Sequence, residues 1–375
     1  MRVLLVQGSS AGGVGRHVAS LARDLVRAGH DVVVAGPQEA RRDFDIDATG
    51  AVFEAVPISD RPRPRSDVRV VLRLRALSRS SDVVHAHGLR AGGLAALALG
   101  PVLLARPGRD PVLVVTLHNL PVGGGVVAVV TAVLERLVAR RADTVLGVSG
   151  DLVRRMQRLG ASHAERALVP APLGRPSARS RQQVRDELGL EDGVALVVTA
   201  ARLAPQKGLD LLLDGVSELR RRRPDLGLLS VVAGDGPLRE ALEQRVAAER
   251  LPVRLLGARS DVPDLFGAAD VAVSSSVWEG QPLVVQEALR AGAPLVATDV
   301  GGTGEVAGDA AVLVPYGDVG ALASALAGLL DDAGARERLS AAGRARAEQF
   351  PTDADALAQV AEVYRQRWPD GKPAG

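Results

Sequence analysis

The feature that most constrains the fold of this chain is an alternation of short apolar runs and helical stretches that begins twice. In the first half the predicted strands are residues 2–7, 31–35, 82–86, 112–117 and 144–148. In the second half they are residues 194–199, 228–233, 253–256, 271–274, 295–298 and 311–314. Strands that alternate with helices favour parallel sheets covered on both faces. The pattern therefore predicts an α/β protein with two doubly wound parallel-sheet domains.

A segment rich in proline, serine and glycine, PAPLGRPSARS at residues 170–180, separates the two patterns and is typical of a linker. We therefore predict one domain at residues 1–172 and a second at residues 173–350. A final amphipathic helix is predicted at about 353–368. With 375 residues and 47% hydrophobic content, the chain can supply two sizeable cores.

Composition excludes several kinds of site. The chain has no cysteine, so disulfides, zinc–thiolate sites and cysteine nucleophiles are excluded. The opening residues MRVLLVQG favour a strand over a charged leader, and we expect a cytoplasmic protein. The uncharged run at residues 91–105 is too short to span a bilayer, and the run at 111–134 contains His118, Asn119 and Pro121. We therefore expect no transmembrane span. We also expect no nucleic-acid partner.

Charge is unevenly distributed along the chain. Residues 1–175 carry 24 arginines against 15 acidic residues, a net charge of +9, although the whole chain has +2. Seven of these arginines lie in RPRPRSDVRVVLRLRALSR, residues 61–79, interleaved with valine and leucine. This segment fits a basic amphipathic helix at an anionic membrane, with a solvated helix face as the alternative.

Two glutamates flank a predicted helix start in SSSVWEGQPLVVQEALRAGAPLVATDVGG, residues 274–302. Glu279 falls in the loop after a strand, and Glu287 lies one to two turns into the helix. Gln281 and Pro282 favour a helix that begins here with proline in its first turn. The NH groups at such a helix start favour a bound phosphate.

A second motif, ARLAPQKG at residues 201–208, follows a predicted strand. Arg202 and Lys207 fall at a strand-to-helix junction, where two cations can hold a diphosphate. The chain contains two lysines and 44 arginines. Lysine where arginine is the usual cation indicates a need for a compact point charge.

Glycine-rich turns follow other strands. In GSSAGGVGRHV, residues 8–18, the glycines let backbone NH groups approach an anion at a helix start. Their G-G-x-G spacing differs from the dinucleotide fingerprint, and no acidic residue ends the second strand, so a dehydrogenase is disfavoured. In VVAGDGPL, residues 231–238, a tight turn leads into a helix.

Histidines concentrate at strand ends of the first domain. His85 and His87 are two residues apart on a strand and point the same way. His118 ends the next strand, where a satisfied core histidine is the alternative to a functional one. His17 lies on the first helix, where a surface histidine is the alternative. No further ligands stand at suitable spacing, so we expect no metal ion.

Together these motifs resemble the retaining family 4 glycosyltransferases, whose GT-B fold has two Rossmann-like domains facing across a cleft. The resemblance covers nearly the whole chain and implies that the last helix packs back onto the first domain. It implies that Glu279 contacts the donor sugar, that Glu287 binds the ribose, and that Arg202 and Lys207 stabilise the departing diphosphate. His118 would hydrogen-bond the donor sugar.

The resemblance also implies a wider set of contacts. The implied donor-binding residues are Gly12, Gly13, Gly234, Gly257, Arg259, Gly280, Gln281, Pro282, Leu283 and Glu287. The implied acceptor-side residues are Gly15, His17, His85 and His87. One departure stands out: the family's Asn-Gly-Val-Asp turn at the linker is replaced by VPAPLGR, residues 169–175.

The expected activity is transfer of a sugar, with retained anomeric configuration, from a nucleoside diphosphate sugar to an acceptor hydroxyl without a metal ion or other cofactor. The arginine-, alanine- and glycine-rich composition suggests a bacterial source, with a small molecule, glycolipid or glycan as acceptor. A nucleotide-sugar epimerase of the same fold and a non-catalytic nucleotide-sugar-binding protein are the alternatives. UDP, GDP, ADP and TDP stay open as the donor nucleotide.

Overall fold

The computed structural model describes residues 1–8, 12–59, 61–100, 111–119, 126–170 and 178–367. It divides into two compact units. The first comprises Met1–Pro170 and Pro351–Gly375, and the second comprises Ala171–Phe350. Among the helices in the described ranges, none is long and apolar enough to cross a membrane.

The first unit is built on a parallel sheet of seven strands in the order β3-β2-β1-β4-β5-β6-β7. The strands are β1 Arg2–Gln7, β2 Asp31–Gly36, β3 Val52–Ala55, β4 Val83–His87, β5 Val112–Leu117, β6 Thr144–Gly147 and β7 Ala164–Arg166. The helices are α1 Gly13–Arg27, α2 Gln38–Asp43, α3 Pro64–Ser78, α4 Leu89–Leu99, α5 Val126–Arg141 and α6 Gly150–Arg158. Every residue of β4, β5 and β6 is buried, as a sheet covered on both faces requires.

The second unit has a parallel sheet of six strands in the order β10-β9-β8-β11-β12-β13. The strands are β8 Ala195–Ala200, β9 Leu228–Ala233, β10 Val253–Gly257, β11 Val271–Ser274, β12 Leu295–Thr298 and β13 Ala311–Val314. The helices are α7 Arg181–Glu187, α8 Leu209–Arg222, α9 Arg239–Ala248, α10 Val262–Ala268, α11 Leu283–Arg290, α12 Thr303–Ala307, α13 Val319–Asp331 and α14 Ala333–Ala347. Val197 and Val198, neighbours on β8, belong to separate apolar clusters, so a core covers each face.

The last helix, α15 (Asp353–Arg367), lies in the first unit. Its Tyr364 is fully buried, and the phenol oxygen is 2.8 Å from His85 Nδ1. The side chain of Gln359 accepts from Leu168 N and donates to Arg166 O. These polar contacts fix the helix against β4 and the end of β7.

The structure confirms the predicted fold class of two Rossmann-like parallel-sheet domains, and it adds elements that the sequence pattern missed. Strands β3 and β7 are short and only partly buried, so they lack a continuous apolar run. Helix α7 begins directly after the predicted linker, where Ser180 and Gln183 form a capping box. Of that linker, residues 171–177 lie outside the described ranges. One helix start differs from the prediction: Pro282 is the N-cap of α11, not part of its first turn.

Candidate active site

An ion pair lies where the strand order of the second sheet reverses. Strands β8 and β11 are neighbours, although two strands lie between them in sequence. In open α/β sheets ligands bind at this point, beyond the carboxyl ends of the strands. Lys207 follows β8, Glu279 follows β11, and Lys207 Nζ is 2.6 Å from Glu279 Oε1. Their side chains are only 24% and 10% exposed. Two residues predicted separately from two motifs are thus brought into direct contact.

Backbone contacts hold the two loops of this ion pair together. Val277 N donates to Gln206 O at 2.9 Å, and Gln206 Nε2 donates to Trp278 O at 3.0 Å. Gly208 has a φ of +57°, and a Cβ there would lie 2.1 Å from Ser275 O. The loops therefore approach too closely for any residue other than glycine at this position.

Glu279 is fixed by further hydrogen bonds. Ser276 Oγ donates to Glu279 Oε1 at 2.6 Å, so this oxygen receives both the serine hydroxyl and the lysine ammonium. Within the described ranges, no donor contacts Oε2. Sequence reasoning missed Ser276, because it stands in a run of three serines with nothing to distinguish it from Ser274 and Ser275.

Arg202 lies on the same loop as Lys207 but in a different environment. Its side chain is exposed, and within the described part of the chain it has no ion-pair or hydrogen-bond partner. The loop backbone is nevertheless held firmly, since Leu203 N donates to Asp235 O at 3.0 Å. Arg202 is therefore a free cation on an ordered loop, available for an anionic ligand.

The turn after β9 packs directly against the Arg202 loop. Gly234 has a φ of +144°, and a Cβ there would lie 1.9 Å from Ala201 O. Its NH donates to Gly257 O at 2.7 Å, which links the turn to the end of β10. Close packing thus accounts for the predicted glycine at position 234, and the loops after β8, β9 and β10 form one continuous edge.

The side chain of Arg259 is engaged within the protein. Its guanidinium pairs with Asp261 at 2.6 Å and with Glu187 at 2.9 Å. These carboxylates raise the pKa of Arg259 above its ordinary value, chiefly through the hydrogen bond that the guanidinium donates to Asp261.

Helix α11 begins at Leu283, directly after Gly280, Gln281 and Pro282. The N-cap residue Pro282 makes no side-chain capping hydrogen bond, and no acidic residue stands in the first turn of this described helix, so its NH groups favour an anion. Glu287 lies in the second turn and is half-buried. Burial lowers the pKa of Arg290, and the negative charge of Glu287 partly offsets this shift.

Four histidines cluster at the corresponding edge of the first unit, where the order of strands reverses between β1 and β4. The rings of His85 and His87 stack with their centroids 4.3 Å apart, which confirms that they point the same way. The ring of His118 stacks on His87 at 5.6 Å, and His87 Nδ1 is 3.3 Å from His118 Nε2. His17 packs edge-on against both, at 5.6 and 5.8 Å.

These histidines are held neutral by burial. Desolvation lowers the pKa of His17 to about 4, a shift that Asp353 partly opposes, and lowers the pKa of His85 to about 3. Burial, assisted by neighbouring histidines, also brings the pKa values of His87 and His118 well below the ordinary value. At neutral pH the cluster therefore supplies hydrogen-bonding groups without positive charge.

His85 and Gly15 have structural partners that the sequence did not indicate. The second ring nitrogen of His85, Nε2, is 2.7 Å from Thr116 Oγ1. Both ring nitrogens are therefore bonded within the protein, and neither is left to bind an acceptor substrate. A Cβ on Gly15 would lie 2.0 Å from the ring of Phe44, so close helix packing explains this glycine. Gly12, with a φ of +91°, precedes Gly13 at the start of α1, and a Cβ there would have no atom of the described residues within 4 Å.

No group of three or more histidine or acidic side chains in the described ranges has the arrangement of a metal site. That statement includes the four-histidine cluster, whose members all lie in the described ranges. The expectation that the reaction needs no metal ion stays a prediction.

Two family models match most of the chain. One, described as "Glycosyl transferases group 1", matches residues 195–332, and another, described as "Glycosyl transferase 4-like domain", matches residues 12–172. The chain belongs to the glycosyl transferases, since glycosyl transferase models match both of its halves. The two matches correspond to the two units. The match at residues 195–332 lies in the second unit and includes Lys207, Glu279 and Glu287.

Several curated relatives of this glycosyl transferase are similar in sequence. A lipopolysaccharide core biosynthesis mannosyltransferase, LpsB of Rhizobium meliloti, is 34% identical over 49% of this chain and 55% of its own length. Glycogen synthase of Mycobacterium tuberculosis is 28% identical over 96% of this chain and 94% of its own. A GDP-mannose-dependent phosphatidylinositol monomannoside mannosyltransferase of Mycolicibacterium smegmatis is 29% identical over 89% of each chain.

Solved structures share the fold of this glycosyl transferase. Anabaena Alr3699/HepE in complex with UDP has a TM-score of 0.79 at 20% identity, covering 98% of this chain and 100% of its own. Sucrose-phosphate synthase of Thermosynechococcus elongatus has a TM-score of 0.76 at 20% identity, covering 98% and 99%. At this identity the likeness establishes the fold alone.

Proposed function

We propose that this protein transfers a sugar from a nucleoside diphosphate sugar to an acceptor hydroxyl, with retention of the anomeric configuration and without a metal ion. The observation that carries the proposal is the 2.6 Å contact between Lys207 and Glu279 at the point where the strand order of the second sheet reverses. Arg202, whose side chain has no partner among the described residues, stands on the same loop.

The proposed chemistry uses these charges at the leaving group. The bond between the anomeric carbon and the diphosphate oxygen breaks, the acceptor oxygen bonds to the same face, and its proton goes to the departing diphosphate. Arg202, Lys207 and the NH groups at the start of α11 stabilise the negative charge that develops there. Glu279 Oε2 accepts a hydrogen bond from a hydroxyl of the donor sugar, and Glu287 binds the ribose.

Names of relatives support a nucleotide-sugar donor. The Mycolicibacterium smegmatis relative is named as GDP-mannose-dependent, and the Anabaena structure contains UDP. UDP and GDP are both carriers of donor sugars, and they share a diphosphate. The positive charges of Arg202 and Lys207 suit that diphosphate. The roles that the family resemblance gives to His118 and to the acceptor-side residues remain predictions.

Two measurements test the proposal in sequence. Thermal stability is measured with UDP, GDP, ADP and TDP and their sugars, because a ligand that binds the folded state raises the unfolding temperature. The best donor is then incubated with acceptors in the presence of EDTA, and the product is examined by NMR. We expect a product with the donor's anomeric configuration. An inverted anomer or loss of activity in EDTA would contradict the mechanism, whereas isomerised donor without acceptor would indicate an epimerase.

A second proposal concerns α3, as a peripheral contact with an anionic membrane. Val68 and Leu72 lie one turn apart on its outer face and are 60% and 62% exposed. Arg65 and Arg69 are exposed on that face, and neither pairs with an acidic residue of the described chain. Exposed apolar side chains with unpaired cations favour an anionic bilayer surface.

Co-sedimentation with vesicles of anionic or neutral phospholipid tests this contact. We expect binding to anionic vesicles only, and loss of binding in Leu72→Glu. Val52→Glu is the matched control, because Val52 is 60% exposed on β3. Equal binding of the two variants would exclude α3 as the contact surface.

A further inference from the structure

A buried serine shares the oxygen of Glu279 that Lys207 contacts. Ser276 is only 3% exposed, and its hydroxyl donates to Glu279 Oε1 at 2.6 Å. Lys207 Nζ approaches the same oxygen at 2.6 Å. A serine hydroxyl has one proton to donate, so that of Ser276 is committed to this carboxylate.

The turn from Ser276 to Glu279 is held at both ends. Thr298 Oγ1, buried on β12, donates to Ser276 O at 2.6 Å. Gly302 N donates to Glu279 O at 2.8 Å. Gly301 has a φ of +53°, and a Cβ there would lie 1.9 Å from Glu279 O, so the chain after β12 touches the glutamate backbone directly. The hydroxyl of Ser276 is therefore presented to Glu279 from a fixed backbone.

We propose that Ser276 is a positioning residue, which holds Oε1 of Glu279 so that Oε2 faces the donor sugar. The inference rests on the proposed function, in which Lys207 acts on the diphosphate. When the lysine turns towards that anion, Ser276 remains as the donor that keeps the carboxylate oriented. A charge-assisted hydrogen bond of this kind limits rotation of the carboxylate and favours its ionised form.

Such a role separates catalysis from nucleotide binding. Because Ser276 acts through Glu279, and Glu279 contacts the sugar, loss of the hydroxyl should lower kcat and leave the affinity for the bare nucleoside diphosphate unchanged. We expect Ser276→Ala to lower kcat about 10- to 100-fold, the usual range for a hydrogen bond to a charged group. Ser276→Thr, which keeps the hydroxyl, should restore most of kcat.

Ser230→Ala is a matched control. Ser230 is fully buried on β9, and its hydroxyl has no hydrogen-bond partner in the part of the chain that the structure describes. Its removal should leave kcat, nucleotide affinity and the unfolding temperature unchanged. A decrease in kcat in this variant would mean that loss of any buried hydroxyl in the unit disturbs the site, and would overturn the inference.

A double-mutant cycle with Glu279→Gln gives the decisive measurement. If Ser276 acts through the carboxylate, Ser276→Ala should lower kcat less than about 3-fold in the Glu279→Gln background. An undiminished effect there, or a parallel loss of kcat and nucleotide affinity in Ser276→Ala alone, would overturn the inference. If the wild type transfers no sugar, the proposed function fails. If it does transfer sugar and Ser276→Ala keeps full kcat, only the role of Ser276 fails.

Discussion

The two units present the same architectural position with opposite electrostatics. In each parallel sheet the strand order reverses once near the middle, between β1 and β4 or between β8 and β11. At the first reversal stand four histidines whose pKa values burial lowers. At the second stand the paired charges of Lys207 and Glu279, with the exposed Arg202 on the same loop as Lys207.

The difference shows how one fold accommodates two kinds of polar site. Buried imidazoles lose their charge and remain as hydrogen-bonding groups, because desolvation penalises the protonated form. The lysine and glutamate are also largely shielded from water, but they are in direct contact and the carboxylate receives a second donor. Pairing thus makes charges tolerable at one edge, whereas neutrality makes polar groups tolerable at the other.

The largest effect is expected from removing the ion pair between Lys207 and Glu279. Lys207→Ala should lower kcat/KM about 100- to 1000-fold, the usual loss when one donor to a developing negative charge is removed. Steady-state kinetics with the identified donor measure this. Arg221→Ala is the control, because Arg221 is an exposed cation of the same unit. Near-normal activity of Lys207→Ala would show that the ion pair is only structural.

Glycine substitutions compare how tightly the two edges are built. Gly301→Ala should lower the free energy of unfolding by about 3 kcal/mol, because its Cβ would overlap the carbonyl oxygen of Glu279. Gly12→Ala should cost about 1 kcal/mol, since Gly12 has positive φ but its Cβ would meet no atom of the described residues within 4 Å. Urea unfolding monitored by circular dichroism distinguishes the two values. Equal losses would contradict the tighter construction of the second edge.

Acidification should destabilise the first unit selectively. Burial lowers the pKa of His17 to about 4 and that of His85 to about 3, so between these values and about 6.5 the unfolded chain binds more protons. The free energy of unfolding therefore decreases as the pH falls below about 6.5, by up to about 1.4 kcal/mol per pH unit for each histidine. All six histidines precede residue 164, so the second unit has none.

Hydrogen exchange at pH 7, 6 and 5, corrected for the intrinsic exchange rate, resolves the two units. Protection in β4 and β5 should decrease, whereas protection in β8 and β11 should stay constant. A uniform decrease across both units would assign the pH dependence to groups other than the histidines.

The smallest effect is expected at the contact between α15 and β4. Tyr364→Phe removes the hydroxyl that meets His85 Nδ1 and leaves that nitrogen buried without a partner. We expect a loss of about 1 kcal/mol, seen as faster hydrogen exchange in α15. Tyr316→Phe is the control, because Tyr316 is the exposed tyrosine of the second unit. Equal exchange in the two variants would mean that apolar packing alone holds the helix.

Much of the architecture followed from local patterns. The repeated strand–helix alternation predicted both sheets, because buried parallel strands need continuous β-branched runs such as VLVVTL in β5. The same reasoning missed β3 and β7, whose residues VFEA and AER carry no such run. Strands at a sheet edge are defined by their neighbour more than by their own sequence.

By itself, the sequence determined the order of the elements and the chemical types at the strand ends, because periodicity and turn residues are local properties of the chain. Only the tertiary structure decided which of these groups meet. It brought Lys207 and Glu279, 72 residues apart, into one ion pair, and it joined His85 to Tyr364 across 279 residues. It also distinguished Ser276 from its neighbouring serines. Charge and hydrogen bonding depend on distance and burial, and those are set by the folded chain as a whole.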